Sequence, residues 1–177
     1  MAMATATPNL PPSSNGPDLR EWGPRLWRIF HALAERAGSG GVLRQQVEEA
    51  RAWSVFLGSL RKTIPCTTCR QHYGEYLVGN GIEVALTKFG AERREALRAW
   101  FYEFHDAVNR RTARGVVSPA LEDVGAMYRN YTQGDFNADK AVLFEHMRRA
   151  MFLRMFVRDD YLKTQRALEE LWLISRG

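Results

Sequence analysis

The stretch "AERREALRAWFYEFHDAVNRRTA", residues 91–113, gives the clearest indication of the fold. Its apolar residues Leu97, Phe101, Phe104 and Val108 recur every three or four positions, which places them on one face of a helix. Charged and polar residues occupy most of the remaining positions. The pattern predicts an amphipathic helix that packs its apolar face against other elements.

Two earlier segments show the same periodicity. Residues 19–37 carry an amphipathic pattern in which Pro24 suits the first turn of a helix and Gly38 suits its end. Residues 42–64 repeat the pattern. Strand patterns are nearly absent, since the run "GVVSPA" is short and is closed by Pro119. The sequence therefore predicts an all-α protein.

A shorter helix is expected between these two segments and residues 91–113. It should begin close to Cys66 and end near Gly79. Since short connections join the four helices, we predict that they form a four-helix bundle. Further helices are expected at the C-terminal end of the chain.

Composition divides the chain into three parts. Residues 1–18 are rich in Pro, Ser, Thr and Asn, which predicts a disordered N-terminal tail. Residues 19–118 hold the predicted bundle. Residues 119–177 predict a helical extension with a break at Asp159 and Asp160. The apolar residues of this extension suit either packing on the bundle of the same chain or a dimer interface, and we expect a homodimer.

Charge and hydropathy argue against several classes of function. The 177-residue chain has 25 Lys+Arg and 20 Asp+Glu, and its basic residues are interspersed with acidic ones. That arrangement is typical of a solvated helical surface rather than of a nucleic-acid interface. No apolar run approaches the roughly 18 residues of a membrane span, and the N-terminal segment lacks the features of a secretory signal. We expect no nucleic-acid partner, no membrane insertion and no secretion.

The sequence holds two cysteines, Cys66 and Cys69, in one C-x-x-C segment. A structural disulfide stabilises chiefly by closing a long loop, so a pair this close suits redox chemistry or metal binding instead. The N terminus of the following helix and the charge of Arg70 would favour the thiolate form. Repeated oxidation of a dithiol also requires an electron acceptor, which side chains do not provide, so this interpretation requires a cofactor.

Other interpretations of the pair remain open at this point. A zinc site needs four ligands; Cys66, Cys69 and His72 have suitable spacing, but a second pair of closely spaced ligands is missing. A thioredoxin-like site would follow a strand, whereas the residues before Cys66 have a helical pattern. Two rival functions follow: a zinc-stabilised helical interaction module without redox activity, and a basic helical adaptor whose cysteines are incidental.

Three motifs in order resemble the Erv/ALR family of FAD-linked sulfhydryl oxidases, over roughly residues 19–118. The motifs are G-x-x-x-W-x-x-x-H at Gly23, Trp27 and His31, P-C-x-x-C-R at Pro65, Cys66, Cys69 and Arg70, and H-x-x-V-N at His105, Val108 and Asn109. Trp27 and His31 are four positions apart, as are His105 and Asn109, so each pair shares a helix face.

The resemblance implies an FAD-binding helical bundle that oxidises thiols and passes electrons through the flavin to O2, producing H2O2. It implies that a substrate dithiol attacks Cys66 and that Cys69 lies beside the flavin. The cofactor-binding residues implied by the resemblance, with the arginines that follow them, are Gly23, Trp27, His31, His105, Val108, Asn109, Arg110, Arg111 and Arg114. No metal is implied.

The chain departs from the family pattern at several positions. Tyr102 and Pro119 occupy positions where many members carry a second cysteine pair, and Asp106 replaces a frequent asparagine. A shuttle dithiol is also missing, which implies a separate thiol-bearing substrate or disulfide carrier. A small cysteine set with a C-terminal extension is similar to members encoded by large DNA viruses, which implies a setting in the host cytoplasm or the virion.

Overall fold

The computed structural model describes residues 16–112 and 117–176, and these ranges contain eight α-helices and no strand. The helices are α1 (Leu19–Arg36), α2 (Leu43–Thr63), α3 (Thr67–Gly79), α4 (Glu83–Leu86), α5 (Gly90–Thr112), α6 (Leu121–Tyr128), α7 (Gln133–Phe152) and α8 (Arg158–Ile174). The prediction of an all-α fold is confirmed. The predicted N-terminal tail falls mostly on residues 1–15, which lie outside the described ranges.

The buried apolar core begins between α1, α2, α3 and α5 and continues into the contacts that α7 and α8 make with α1 and α2. In α5, the predicted apolar face is confirmed for Leu97, Phe101 and Phe104, which are buried, while Val108 is half-buried. Phe30 of α1 stacks on Phe101 with ring centroids 4.7 Å apart. Such aromatic pairs contribute both buried area and a preferred geometry, so they fix how these helices pack.

Helix α3 begins immediately after Cys66, as the sequence predicts. Cys66 is the N-cap residue, and its Sγ accepts a hydrogen bond from the backbone N–H of Cys69 at 3.1 Å. The helix ends at Gly79, also as expected. The one-turn helix α4 follows and was not predicted, because four residues are too few to show a helical period.

The C-terminal extension packs on the bundle of its own chain, with α7 along α1 and α8 along α2. The break between the two helices is predicted at Asp159 and Asp160, but it lies earlier in the chain, because α7 ends at Phe152 and α8 begins at Arg158. Both aspartates instead lie in the first turn of α8, where carboxylates interact favourably with the helix dipole.

A buried carboxylate joins α7 to α1. The side chain of Asp139 is almost fully buried and contacts Arg25 Nη1 at 3.0 Å and Arg28 Nε at 2.8 Å. Tyr131 Oη donates a hydrogen bond to Asp139 Oδ2 at 2.8 Å. A buried carboxylate is costly unless it is paired, so Asp139 is stable only where it meets these three partners. The network therefore holds α7 in place against α1.

A buried histidine makes a second connection between the same helices. The backbone N–H of Asp18 donates to Nδ1 of His146 at 3.1 Å. Nε2 therefore carries the proton of the neutral ring and donates to Glu21 Oε2 at 2.8 Å. The start of α1 is thus held against the middle of α7.

Candidate active site

The two cysteines form a disulfide at the N terminus of α3, with Cα atoms 5.2 Å apart. Both residues are half-buried, and the preceding Ile64 and Pro65 are buried. After reduction, the Cys69 N–H and the positive end of the α3 dipole favour negative charge on Cys66 Sγ. The sequence-based placement of a reactive pair at a helix start therefore agrees with the local geometry.

Cys69 lies on the wall of a cavity of about 110 Å³ in the interior of the bundle. The cavity is mostly apolar, and its walls include Trp27 and Val108 together with Gly23. A side chain at position 23 would be crowded, since an added Cβ would lie 3.1 Å from Leu19 Cδ1. Cys66 is not part of this wall, so the two sulfurs differ in what they face.

Trp27 and two histidines form a stacked group behind the cavity. The rings of Trp27 and His105 are parallel within 5°, with centroids 3.9 Å apart. His31 Nε2 and His105 Nδ1 share a hydrogen bond of 3.0 Å, and Tyr128 stacks on His31 with centroids 5.2 Å apart. Since Trp27 and His105 are in direct contact, a planar ligand would lie against an outer face of this group.

Both histidines are uncharged at neutral pH. Burial lowers the pKa of His31 to about 4, and burial together with the neighbouring His31 lowers the pKa of His105 to about 3. Nε2 of His105 is buried and has no hydrogen-bond partner among the described residues. A buried polar atom without a partner is costly, which makes it a candidate contact for a bound ligand.

Of the other predicted cofactor residues, one is buried, two are exposed and one lies outside the described residues. Asn109 is buried and its Nδ2 donates to Ser118 Oγ at 3.4 Å, while Ser118 Oγ donates to Asp106 Oδ1 at 2.8 Å. Arg110 is exposed and forms an ion pair with Asp106 at 3.0 Å. Arg111 is exposed at the end of α5, next to Thr112 on the cavity wall. Arg114 lies outside the described residues.

Several cavity residues were not predicted from the sequence. Tyr73 and His72 follow Cys69 by one helical turn, and Phe104 precedes Val108 by one turn, so each reaches the same cavity. Burial raises the pKa of Tyr73 and keeps the phenol neutral, and its hydroxyl donates to the carbonyl of Leu57 at 3.2 Å. Helical spacing from Cys69 and Val108 puts all three on the cavity side, but residues that pack in a helical core have the same spacing.

The residues around the cavity have the chemistry that a flavin requires, and the cavity of about 110 Å³ would have to widen to admit the ring. An isoalloxazine or adenine ring needs flat apolar walls and a few hydrogen-bonding groups, and its pyrophosphate needs cations nearby. The aromatic walls supply the first. For the second, the unpartnered His105 Nε2 lies behind the wall rather than on it. For the third, Arg111 directly precedes Thr112, the wall residue at the end of α5. Cys69 on the wall places a sulfur beside any ring bound there.

Metal and membrane alternatives receive no support from the same geometry. Across the described ranges, no group of three or more His, Cys, Asp or Glu side chains is arranged to hold a metal ion. None of the helices described is both long and apolar enough to cross a membrane.

Comparison with known proteins gives consistent results. The model of the Erv1/Alr family matches residues 24–123. An FAD-linked sulfhydryl oxidase of African swine fever virus (isolate Pig/Kenya/KEN-50/1950) is 29% identical over 97 residues, which is 55% of this chain and 72% of that protein. A putative FAD-linked sulfhydryl oxidase, 088R, of Frog virus 3 is 43% identical over 53 residues, 29% of this chain and 34% of that protein. No solved structure matches the chain.

Proposed function

The chain belongs to the Erv1/Alr family, and we propose that it is an FAD-dependent thiol oxidase that makes disulfide bonds through Cys66 and Cys69. The observation that carries this function is the position of the Cys66–Cys69 disulfide. It lies at a helix N terminus, with Cys69 on the wall of the apolar cavity. The names of the viral relatives support the same activity.

Cys66 is proposed as the sulfur that substrates attack. A substrate thiolate forms a bond to Cys66 Sγ, the Cys66–Cys69 bond breaks, and Cys69 leaves as a thiolate on the cavity side. The second substrate thiolate then attacks the substrate sulfur of this mixed disulfide and releases Cys66. The substrate gains a disulfide, and the protein pair receives two electrons. The Cys69 N–H stabilises the Cys66 thiolate that is released.

The residues around the cavity are proposed to hold the cofactor. Bound FAD would supply the two-electron acceptor for the reduced cysteine pair and the route to O2, with H2O2 as product. Trp27 and Phe104 offer flat surfaces, and Nε2 of His105 offers a polar contact. His31 and His105 are not among the residues that line the cavity but lie behind Trp27, and their neutral state places no positive charge there. Of the two predicted arginines within the described residues, Arg110 is paired with Asp106, and Arg111 forms no ion pair with another described residue.

The substrates of a thiol oxidase carry thiols, and O2 is the acceptor. We propose a separate thiol-bearing protein or disulfide carrier as the partner, because the sequence holds one cysteine pair and no second pair to relay electrons. We also propose that the protein works as a homodimer in a host cytoplasm or virion. The viral source of its relatives supports the setting. Sedimentation velocity and fractionation of infected cells test the assembly and the compartment.

The visible spectrum of the purified protein tests the function. The proposal expects yellow protein that loses its flavin absorbance when dithiothreitol is added without oxygen and regains it on aeration. It also expects dithiothreitol-dependent consumption of O2, abolished in both Cys66→Ser and Cys69→Ser. Colourless protein that contains stoichiometric zinc and consumes no O2 would instead establish the zinc-stabilised module.

A further inference from the structure

A second and larger groove, of about 970 Å³, lies on the outer side of the active-site helix. Its walls come from the end of α2, from one face of α3 between Thr67 and Gly79, and from the turn between α7 and α8. Thr67, which directly follows Cys66, lies at one end of the α3 wall. We call this surface the outer groove. The cysteine pair thus lies between an inner cavity, which Cys69 faces, and the outer groove, which begins next to Cys66.

The C-terminal extension forms one wall of the outer groove and is tied to the active-site helix. Arg70 Nη1 donates to the carbonyl oxygens of Met155 at 2.8 Å and of Lys62 at 3.0 Å. The buried hydroxyls of Thr63 and Thr164 share a hydrogen bond of 2.9 Å. Arg70, which directly follows Cys69, therefore connects the α3 wall to the two other walls of the groove.

The turn between α7 and α8 exposes apolar side chains at the groove. Val157 is 64% exposed, and Val78 on the α3 wall is 78% exposed. Phe152, the last residue of α7, and Leu153, the first of the turn, are 75% and 54% exposed but lie outside the groove lining. In the same turn, Arg154 has a φ of 59°, a left-handed conformation that is unfavourable for a residue with a side chain. Exposed apolar side chains clustered at a groove indicate a binding surface more often than scattered ones do.

The walls of the outer groove carry three basic side chains, Arg61, Lys62 and Arg70, and two acidic ones, Glu75 and Asp160. The Arg70 guanidinium donates to two carbonyls and to the hydroxyl of Thr67, all neutral groups. Among the described residues, neither Arg61 nor Arg70 forms an ion pair with a carboxylate. Lys62 contacts Asp160 at 3.4 Å, and Glu75 is hydrogen-bonded to Gln71. The groove therefore has an excess of positive charge, from Arg70 close to Cys66 to Arg61 beside Gly74, which favours a negatively charged partner.

The dimensions of the groove suit a peptide rather than a small thiol. From Thr67 to Gly79, the 13 residues of α3 span about 18 Å at a rise of about 1.5 Å per residue. An extended chain covers that distance in about five or six residues. We propose that the outer groove docks an extended segment of the protein substrate that carries apolar and acidic side chains beside its cysteine pair. This inference rests on the proposed thiol oxidase function.

Two dithiol peptides and dithiothreitol test the proposal on the holoenzyme of the 177-residue chain. The peptides share length and a C-x-x-C core; one is flanked by Leu and Glu, the other by Ser and Lys. Wild-type protein should oxidise the Leu/Glu peptide with a kcat/KM at least tenfold higher than the Ser/Lys peptide. Raising the salt concentration from about 0.05 M to about 0.5 M should reduce that preference, because charge attraction is screened.

Matched variants locate the effect. Val78→Asp should lower kcat/KM for the Leu/Glu peptide about tenfold and leave dithiothreitol oxidation within about twofold, since an apolar contact is lost and a repulsive charge is added. Val84→Asp is the control, because Val84 is similarly exposed (71%) but lies on α4 outside the groove. Arg61→Glu should reduce the preference between the peptides, whereas Arg51→Glu on the same helix should not.

The outcomes separate the two proposals. Wild-type protein that oxidises dithiothreitol but treats both peptides alike overturns the docking proposal and leaves the thiol oxidase function intact. The same holds if Val78→Asp and Val84→Asp affect the Leu/Glu peptide equally. Wild-type protein that does not oxidise dithiothreitol rejects the oxidase function and the docking proposal with it.

Discussion

The paired histidines His31 and His105 should make the stability of the protein depend on pH. Their pKa values are lowered to about 4 and about 3 by burial, against about 6.5 in an unfolded chain. The unfolded state therefore binds more protons below pH 6.5, so the stability present above that pH is lost as the pH falls towards the folded pKa values.

Urea unfolding should show this loss. We expect the free energy of unfolding to fall by about 2 kcal/mol or more between about pH 6.5 and about pH 4.5. The double variant His31→Gln, His105→Gln should unfold with a much smaller slope over that range. An unchanged slope in the double variant would assign the pH dependence to other groups.

The two sulfurs should differ in accessibility, because Cys69 faces the inner cavity and Cys66 does not. A bulky maleimide should react with Cys66 in Cys69→Ser about tenfold faster than with Cys69 in Cys66→Ser, since the helix N terminus also favours the Cys66 thiolate. Rates in denaturant provide the reference for each thiol. Equal native rates would contradict the proposed difference in accessibility. A faster reaction at Cys69 would reverse the proposed roles.

Residue identity alone predicts only part of this site. The motifs name Gly23, Trp27, Val108 and Cys69, which the fold brings to one cavity. They do not name Tyr73 or the other aromatic walls, because an aromatic residue on an amphipathic helix is indistinguishable from core packing until the neighbouring helix is placed. The side-chain chemistry of a motif is thus readable from sequence, whereas the shape of the space between helices is not.

At the level of elements, long helices are predictable and their boundaries less so. The apolar period of α5 and the start of α3 after Cys66 follow directly from the sequence. The helices α4 and α6 are too short to show a period. In the turn after α7, the carbonyl of Met155 accepts a hydrogen bond from Arg70 of α3. A tertiary contact 85 residues apart in sequence leaves no local pattern.

The connection of α7 to α1 through Asp139 should be energetically important. Asp139→Ala removes a buried acceptor from Tyr131 and a partner from two arginines, so we expect a loss of about 1–3 kcal/mol in the free energy of unfolding. The side chains of both arginines are partly exposed, which limits the loss, although Arg28 Nε itself is buried and would be left without Asp139. Asp159→Ala, near the start of α8, is the control and should change the same quantity by less than about 0.5 kcal/mol. Equal effects of the two changes would show that the Asp139 network contributes no net stability.

For the molecule as a whole, the sequence left two uses of the C-terminal extension open. The structure shows the extension packed on its own bundle, where Leu143, Met147, Leu168 and Leu171 are fully buried. The apolar surface that suggested a dimer interface is therefore largely used within one chain. The predicted homodimer stays a prediction, and its interface would have to use other surfaces.

Removal of residues 120–177 should therefore expose the faces of α1 and α2 that α7 and α8 cover. We expect the shortened protein to aggregate or to sediment as a larger species, because large exposed apolar patches associate. Leu168→Asp tests the same contact in the full chain: a buried charge at a fully buried position should lower the free energy of unfolding by about 3 kcal/mol or more. Leu173→Asp on the same helix, at a position 63% exposed, is the control and should have little effect. A shortened protein that keeps the assembly state and flavin content of the full chain would show that the bundle is complete without α6 to α8, and that the extension contributes to the outer groove rather than to stability.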